Sequence, residues 1–362
     1  MEKAQRLFHE HGSWVDRRQA LFGLAGAAAG LTCACCTASA QSAADKATSA
    51  PYRIDVHQHI LPPAYLAEER ERVMYASQGA PAELIDKWSP QRAIDDMDKG
   101  SVATSVVSIS TPGVYMGDIA QGRRLARTCN EYGANLIKTY PGRFGMFAAI
   151  PLPDVEGSMK EIEYALDVLK LNGIGLMTSY GDKWPGDPAF YPVFEEFNRR
   201  KATVFFHPTT AACCGDTVPG VPRSTIEFPT DTTRCAASLY VNGVLSRCQD
   251  IKFILSHGGG SLPAFAGRLD GLSGRTTPPW STRAMDEFKR LNYDTAAILN
   301  VPAFAALLKL VPPTQVLMGS DFPYRSESRV VKEIREVGIF NDAELMAIER
   351  DNALRIVPGL KQ

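Results

Sequence analysis

Eight short apolar segments separated by amphipathic ones run through residues 52–362 and predict a (β/α)8 TIM barrel with a metal site at the C-terminal ends of its strands. Alternation of the two kinds of segment argues for a parallel sheet. Eight repeats over about 300 residues suit a closed barrel better than an open sheet. The third observation is the placement of histidine. Of six in the chain, the four beyond residue 50, His57, His59, His207 and His257, all fall at the ends of the apolar segments.

The first segment, "RIDVH" at 53–57, opens the barrel. Within "YRIDVHQHI" the residues alternate as in a strand, so His57 and His59, two apart, point to the same side. Residues 61–100 read as a long insert with helices over the barrel top. The next strands are expected at 104–110, 143–150, 173–177, 202–207, 252–257, 291–295 and 315–320. Helices are expected at "QGRRLARTCNEYGANLIKTY", "SMKEIEYALDVLKLN", "YPVFEEFNRRK" and "PAFAALLKLV". In the second of these, Ile162, Ala165, Leu166 and Leu169 recur at helical spacing.

In a barrel the strand ends meet at one face, where active sites lie. His57 and His59 end the first strand, His207 the fifth ("VFFHPTT") and His257 the sixth ("FILSHGGG"), and Asp321 follows the eighth ("LMGSDFPY"). One such histidine is more often a hydrogen-bonded surface residue than a ligand. Four of them with a carboxylate are hard to explain by packing. For Asp321 the alternative is a helix N-cap. Imidazole nitrogens with one carboxylate suit a borderline divalent metal and leave a coordination position open. Such a metal activates water or polarises a bound oxygen, and a histidine beside it can move a proton. Asp294, in "NYDT", ends the seventh strand. It is a candidate for facing the substrate or for holding a metal ligand from behind, with a buried structural hydrogen bond as the favoured reading. The glycines of "HGGG" lack the spacing of a phosphate loop and are read as letting backbone pass close to the metal.

"DVHQH", "FFHPT", "LSHGGGSLPAFAGRLD" and "LMGSDFPY", in this order, resemble the amidohydrolase superfamily. The resemblance is to the branch holding aminocarboxymuconate-semialdehyde decarboxylase and the o-hydroxybenzoate decarboxylases, and it runs from about Tyr52 to Val357. It takes in "WSPQRAIDDMDKGSVATSVVSISTPGV", "IPLPDV", "GDPAFYPVFEEFNRRKATVFFHPT" and the closing "IERDNALRIV", which are most similar to 6-methylsalicylate decarboxylase-like members. It implies His57, His59, His207 and Asp321 as ligands of one divalent metal, zinc by default and manganese as the other option. It implies His257 as acid/base, with Asp321 sharing in catalysis. No carboxylated lysine is implied, and "GIGLMTS" offers none. Arg268, in "AGRLD", matches an arginine that contacts the substrate carboxylate, sometimes across a subunit boundary; a surface ion pair with Asp270 is the alternative. A second such arginine is expected in the 61–100 insert, but neither Arg70 nor Arg72 aligns with it. The implied activity is non-oxidative decarboxylation of a small ortho-hydroxybenzoate-type acid by a homodimer or homotetramer. Hydrolysis of a lactone, ester or amide at the same site is the alternative, and metal binding without catalysis is a third.

A formal charge of −1 with no basic block argues against nucleic-acid binding. The first 40 residues carry Arg17-Arg18, a Gly- and Ala-rich apolar stretch, and Ala38-Ser39-Ala40. That order reads as a twin-arginine-type export signal, cleaved at Ala40, with residues 41–51 a linker and the mature chain periplasmic or secreted. A membrane anchor is the alternative; with the signal removed, no stable membrane association is expected. Cys33, Cys35 and Cys36 leave with the signal. The remaining five, Cys129, Cys213, Cys214, Cys235 and Cys248, make no disulfide framework. Cys213 and Cys214, being neighbours, are too strained a pair to read as a disulfide.

Overall fold

The computed structural model describes residues 51–77, 80–215, 218–273 and 282–360. The export-signal reading and most of the linker lie outside the described residues. Eight strands, β1 (Arg53–His59), β2 (Val102–Ser108), β3 (Phe144–Ala149), β4 (Gly173–Met177), β5 (Thr203–His207), β6 (Lys252–Leu255), β7 (Asn292–Asp294) and β8 (Val316–Leu317), pair in sequence order. Every pairing is parallel. The ring closes through backbone bonds from β1 to the chain at and beyond β8. Val56 N–H donates to Met318 O (2.9 Å), His59 N–H to Phe322 O (2.8 Å) and Asp321 N–H to His57 O (2.7 Å). This is the predicted TIM barrel.

The strands are buried on both faces, which is why they read as near-continuous apolar runs. Ile54, Val56, Val106, Phe147, Phe205, Ile254 and Leu317 fill the barrel, packed against Ala353, Ile356, Val357 and Leu360. Thr203 Oγ1, at the start of β5, donates to Ile356 O (2.5 Å), so this last helical turn plugs the N-terminal end of the barrel. The surrounding helices start at legible caps. Asp118, Asp154 and Asn300 each accept a backbone N–H three residues on. The amphipathic segment at 158–172 is an α-helix, Val155–Glu163, continued by a π-turn, Tyr164–Val168. Ile162 and Ala165 are fully buried there. The insert forms helices Pro63–Ala76, Ala82–Asp86 and Pro90–Lys99.

The adjacent cysteines correct the sequence reading: Cys213 and Cys214 are joined as a disulfide in the loop after β5. Cys213 is exposed there, and a surface loop can bend around the small ring the bond creates. Cys129, Cys235 and Cys248 are buried free thiols. Among the described residues no helix is long and apolar enough to cross a membrane.

Candidate metal centre and active site

The strand ends bring His57, His59, His207 and Asp321 together, with one donor atom of each within 4.8 Å of every other. The Nε2 atoms of His59, His57 and His207 lie 3.0, 3.3 and 4.0 Å from Asp321 Oδ1. His57 and His59 stand side by side on β1, Nε2 to Nε2 at 3.2 Å. Their other nitrogens are committed behind them. His57 Nδ1 is 2.8 Å from Asp294 Oδ2. His59 Nδ1 is 3.4 Å from Ser108 O and 3.3 Å from Ser108 Oγ. A proton held on each Nδ1 leaves the Nε2 lone pair free for a cation.

The electrostatics match. Burial works against a charge on His57, but Asp294 and Asp321 outweigh it and push its pKa up to about 10. Burial lowers His59 and holds His207 well below the ordinary value, the neighbouring imidazoles adding to the effect on both. Burial would raise Asp321, yet His57, His257 and His59 hold its carboxyl well below the usual range. A carboxylate is thus ringed by imidazoles of which two resist protonation. One cation among these four donors would replace shared protons and give each Nε2 a partner, so the residues fit a single divalent metal.

His257 stands apart from the four. It lies just past β6 with φ of +52°, its N–H donating to Asp294 Oδ1 (2.8 Å) and its Nε2 3.3 Å from Asp321 Oδ2. Asp321 has φ of +71° and sits in a turn; the next helix begins at Glu327 with Ser326 at its cap position, so the N-cap alternative for Asp321 falls away. Non-glycine residues in this conformation cluster where function holds them.

Two substrate-side candidates lie away from the cavity. Asp294 is fully buried and faces His57 and the His257 backbone, not the cavity, so it is no substrate contact. Its register at the end of β7 turns it behind the histidines. Arg268 is exposed on the helix Leu262–Asp270 and does not line the cavity of its own chain. Nor does it pair with Asp270, whose partner is Arg283 (Nε to Oδ2, 2.8 Å). The glycines after His257 also have another reason. All three have positive φ, and a Cβ on Gly260 would meet Pro229 O at 2.3 Å. The glycine that does pass the donors is Gly319, where a Cβ would lie 2.9 Å from those of His57 and Asp294.

A cavity of about 640 Å³ opens onto His207, His257 and Asp321. Leu84, Phe228, Pro229 and Ile298 give it apolar walls. Tyr324 and Arg325, which the sequence reading did not single out, line it too. Both follow Asp321 in the same turn, and nearness to that carboxylate in sequence was the available signal. Tyr324 OH shares a hydrogen bond with Ser77 Oγ of the insert (2.8 Å).

A barrel with one three-histidine, one-carboxylate cluster at the mouth of a small-molecule cavity defines a class: the mononuclear metal-dependent barrel enzymes. Residues 54–359 match the family model described as amidohydrolase, and the chain belongs to that family. Among its relatives, a decarboxylase of Penicillium terrestre is 36% identical over 300 residues, covering 78% of this chain and 87% of the relative. The 6-methylsalicylic acid decarboxylase of Penicillium expansum is 31% identical, with 85% and 97% covered. Among solved structures, a dihydroxybenzoic acid decarboxylase from Polaromonas sp. JS666, with bound manganese and the inhibitor 2-nitroresorcinol, superposes with a TM-score of 0.72 at 19% identity, covering 84% of this chain and 96% of that one.

Proposed function

We propose that the chain catalyses metal-dependent, non-oxidative decarboxylation of a small aromatic acid with a hydroxyl ortho to the carboxylate, of the 6-methylsalicylate kind. The observation that carries this is the single-cation donor set at an apolar cavity, in a chain whose relatives named above are decarboxylases. His57, His59 and His207 would hold the cation through Nε2, and Asp321 through a carboxylate oxygen. A bound divalent ion would orient the substrate through its carboxylate and neighbouring phenolic oxygen and favour ionisation of that hydroxyl, which enriches the ring carbon to be protonated. The imidazole-rich donors suit zinc, and the manganese of the Polaromonas relative makes that ion the alternative.

His257 and Asp321 handle the proton. Their 3.3 Å contact provides a path to the ring carbon that bears the carboxylate. Protonation there interrupts aromaticity; the bond to the carboxylate breaks, its electron pair returns to the ring, and carbon dioxide leaves. Leu84, Phe228 and Ile298 would give the ring apolar walls to lie against. Arg268, exposed with Phe265 one turn before it, would reach a substrate only in a neighbouring subunit, which agrees with a homodimer or homotetramer. Export by the N-terminal signal, with cleavage after Ala40, is part of the same reading and is tested by the mass of the mature N-terminus.

Carbon dioxide release from ortho-hydroxybenzoic acids, including 6-methylsalicylate, is the deciding assay. Release should vanish with chelator and return with metal, and His57→Ala and Asp321→Ala should lose both metal and activity. A metal-free variant with full activity would sink the assignment. Metal bound at one per chain with no release would move the reading to lactone or ester hydrolysis.

A further inference from the structure

An aromatic acid brings a carboxylate into a largely apolar cavity, where an oxygen that the metal does not take is costly to bury without a donor to meet it. The arginines brought forward by the sequence do not meet it within one chain. Arg268 is exposed away from the cavity. In the insert, Arg70 is held by Asp86 through two nitrogens (2.7 and 2.6 Å) and Arg72 by Glu69 (2.8 Å). Arg325 does line the cavity. Its N–H donates to the carbonyl of Asp321 (3.2 Å), so its backbone lies one turn from the donor cluster. Its side chain is 39% exposed, and its carboxylate neighbour, Glu333, is 3.9 Å away. Glu333 is already engaged by Arg329 at 2.5 Å. Arg325 is therefore a half-covered guanidinium with no committed partner, at the wall of an apolar cavity beside a cation-binding cluster. A planar fork of donors in that position matches a carboxylate.

We propose that Arg325 is a specificity-determining residue that binds the substrate's carboxylate, so that this cavity selects aromatic acids over the phenols left after decarboxylation. The inference rests on reading the site as one for aromatic acids and supplies the group that recognises the acid. Arg325 acts on selection and release: once carbon dioxide has gone, the product has no charge for it to hold.

The test is calorimetric binding of matched pairs to the full metal-loaded chain, each pair a 2-hydroxybenzoic acid and the phenol lacking its carboxyl group. In Arg325→Gln the Kd of the acid should rise roughly 10- to 100-fold, as expected for loss of one charge-assisted contact. The Kd of the phenol and the metal content should stay as in wild type, and Arg325→Lys should recover part of the acid affinity. In turnover, KM should rise while kcat stays within a few fold. Equal weakening of acid and phenol, an unchanged acid Kd, or a wild type that binds neither member of any pair would overturn the inference. Acid binding that depends on Arg325 without carbon dioxide release would leave it standing and remove the decarboxylase reading instead.

Discussion

His57 lies between two carboxylates with different work to do. Asp321 shares the cavity side with the other donors, whereas Asp294 holds Nδ1 from behind and also accepts the backbone N–H groups of His257 and Ala296. Asp294→Asn keeps the size but can donate its NH2 to Nδ1, which shifts the ring proton to Nε2, the nitrogen that faces the cation. Metal affinity should fall roughly 10- to 100-fold, measured by metal content after dialysis against graded chelator, with the circular dichroism spectrum unchanged. Full affinity would mean that Asp294 is only a structural bond. Gly319→Ala tests the same corner by volume. Its new methyl would press on the Cβ atoms of His57 and Asp294 at 2.9 Å, costing about 1–3 kcal/mol by overpacking and loosening the donors; denaturant unfolding with metal analysis would show both. The donors were legible because strand period fixes which side His57 and His59 share, and strand ends fix where they meet. Gly319 and Arg325 were not, because their parts depend on how a loop turns after β8.

Helices and strands were read from apolar period, and what was missed lies where local signals conflict. All eight strands fall where alternation placed them, within a few residues at each end. The helix Arg223–Val241 was not singled out, since it contains Pro229 and opens on polar residues. It forms because tertiary contacts settle it: Asp231 on this helix accepts from Thr178, Ser179 and Trp184 of the segment after β4. The turn between β8 and the helix Glu327–Glu336 is held in a comparable way. Glu327 is fully buried and accepts from Gln58 Nε2 (2.8 Å) and Ser105 Oγ (2.7 Å), so it ties the chain beyond β8 to β1 and β2. Burial and the neighbouring Asp55 carboxyl push its pKa well above the ordinary value. In the folded chain Glu327 keeps a proton that the unfolded chain gives up above about pH 4.5. Stability from this residue is therefore greatest at low pH and falls as pH rises toward the folded value. Glu327→Gln needs no proton, so its stability relative to wild type should grow between pH 4.5 and 8 in urea titrations. Glu327→Leu should be destabilised by about 2–4 kcal/mol, because Gln58 and Ser105 lose their buried acceptor. A Gln variant whose offset from wild type ignores pH would show that Glu327 is ionised in the fold.

For the molecule as a whole, the donor set has a consequence for stability. His57 and His59 come from the first strand, His207 from the fifth, and Asp321 from the chain just past the eighth, across the seam where the barrel closes. That seam is the least regular join: β8 has two residues, and the closing bonds join Val56, His57 and His59 of β1 to Met318, Asp321 and Phe322, all beyond β8. A cation shared by these donors ties both sides of the seam, and the unfolded chain, whose donors are far apart in sequence, cannot bind it as well. Binding to the folded state alone stabilises by RT ln(1 + [L]/Kd), about 4 kcal/mol at a thousandfold excess over Kd. In a domain of this size each kcal/mol is worth roughly 2–3 °C, so chelation should lower Tm by roughly 10 °C, and the midpoint should climb with the logarithm of added zinc or manganese. His57→Ala, lacking a central donor, should melt at nearly the same temperature with and without metal. Demonstrated metal loss with no change in wild-type Tm would mean that the barrel closes on its own packing and that the cation serves chemistry alone.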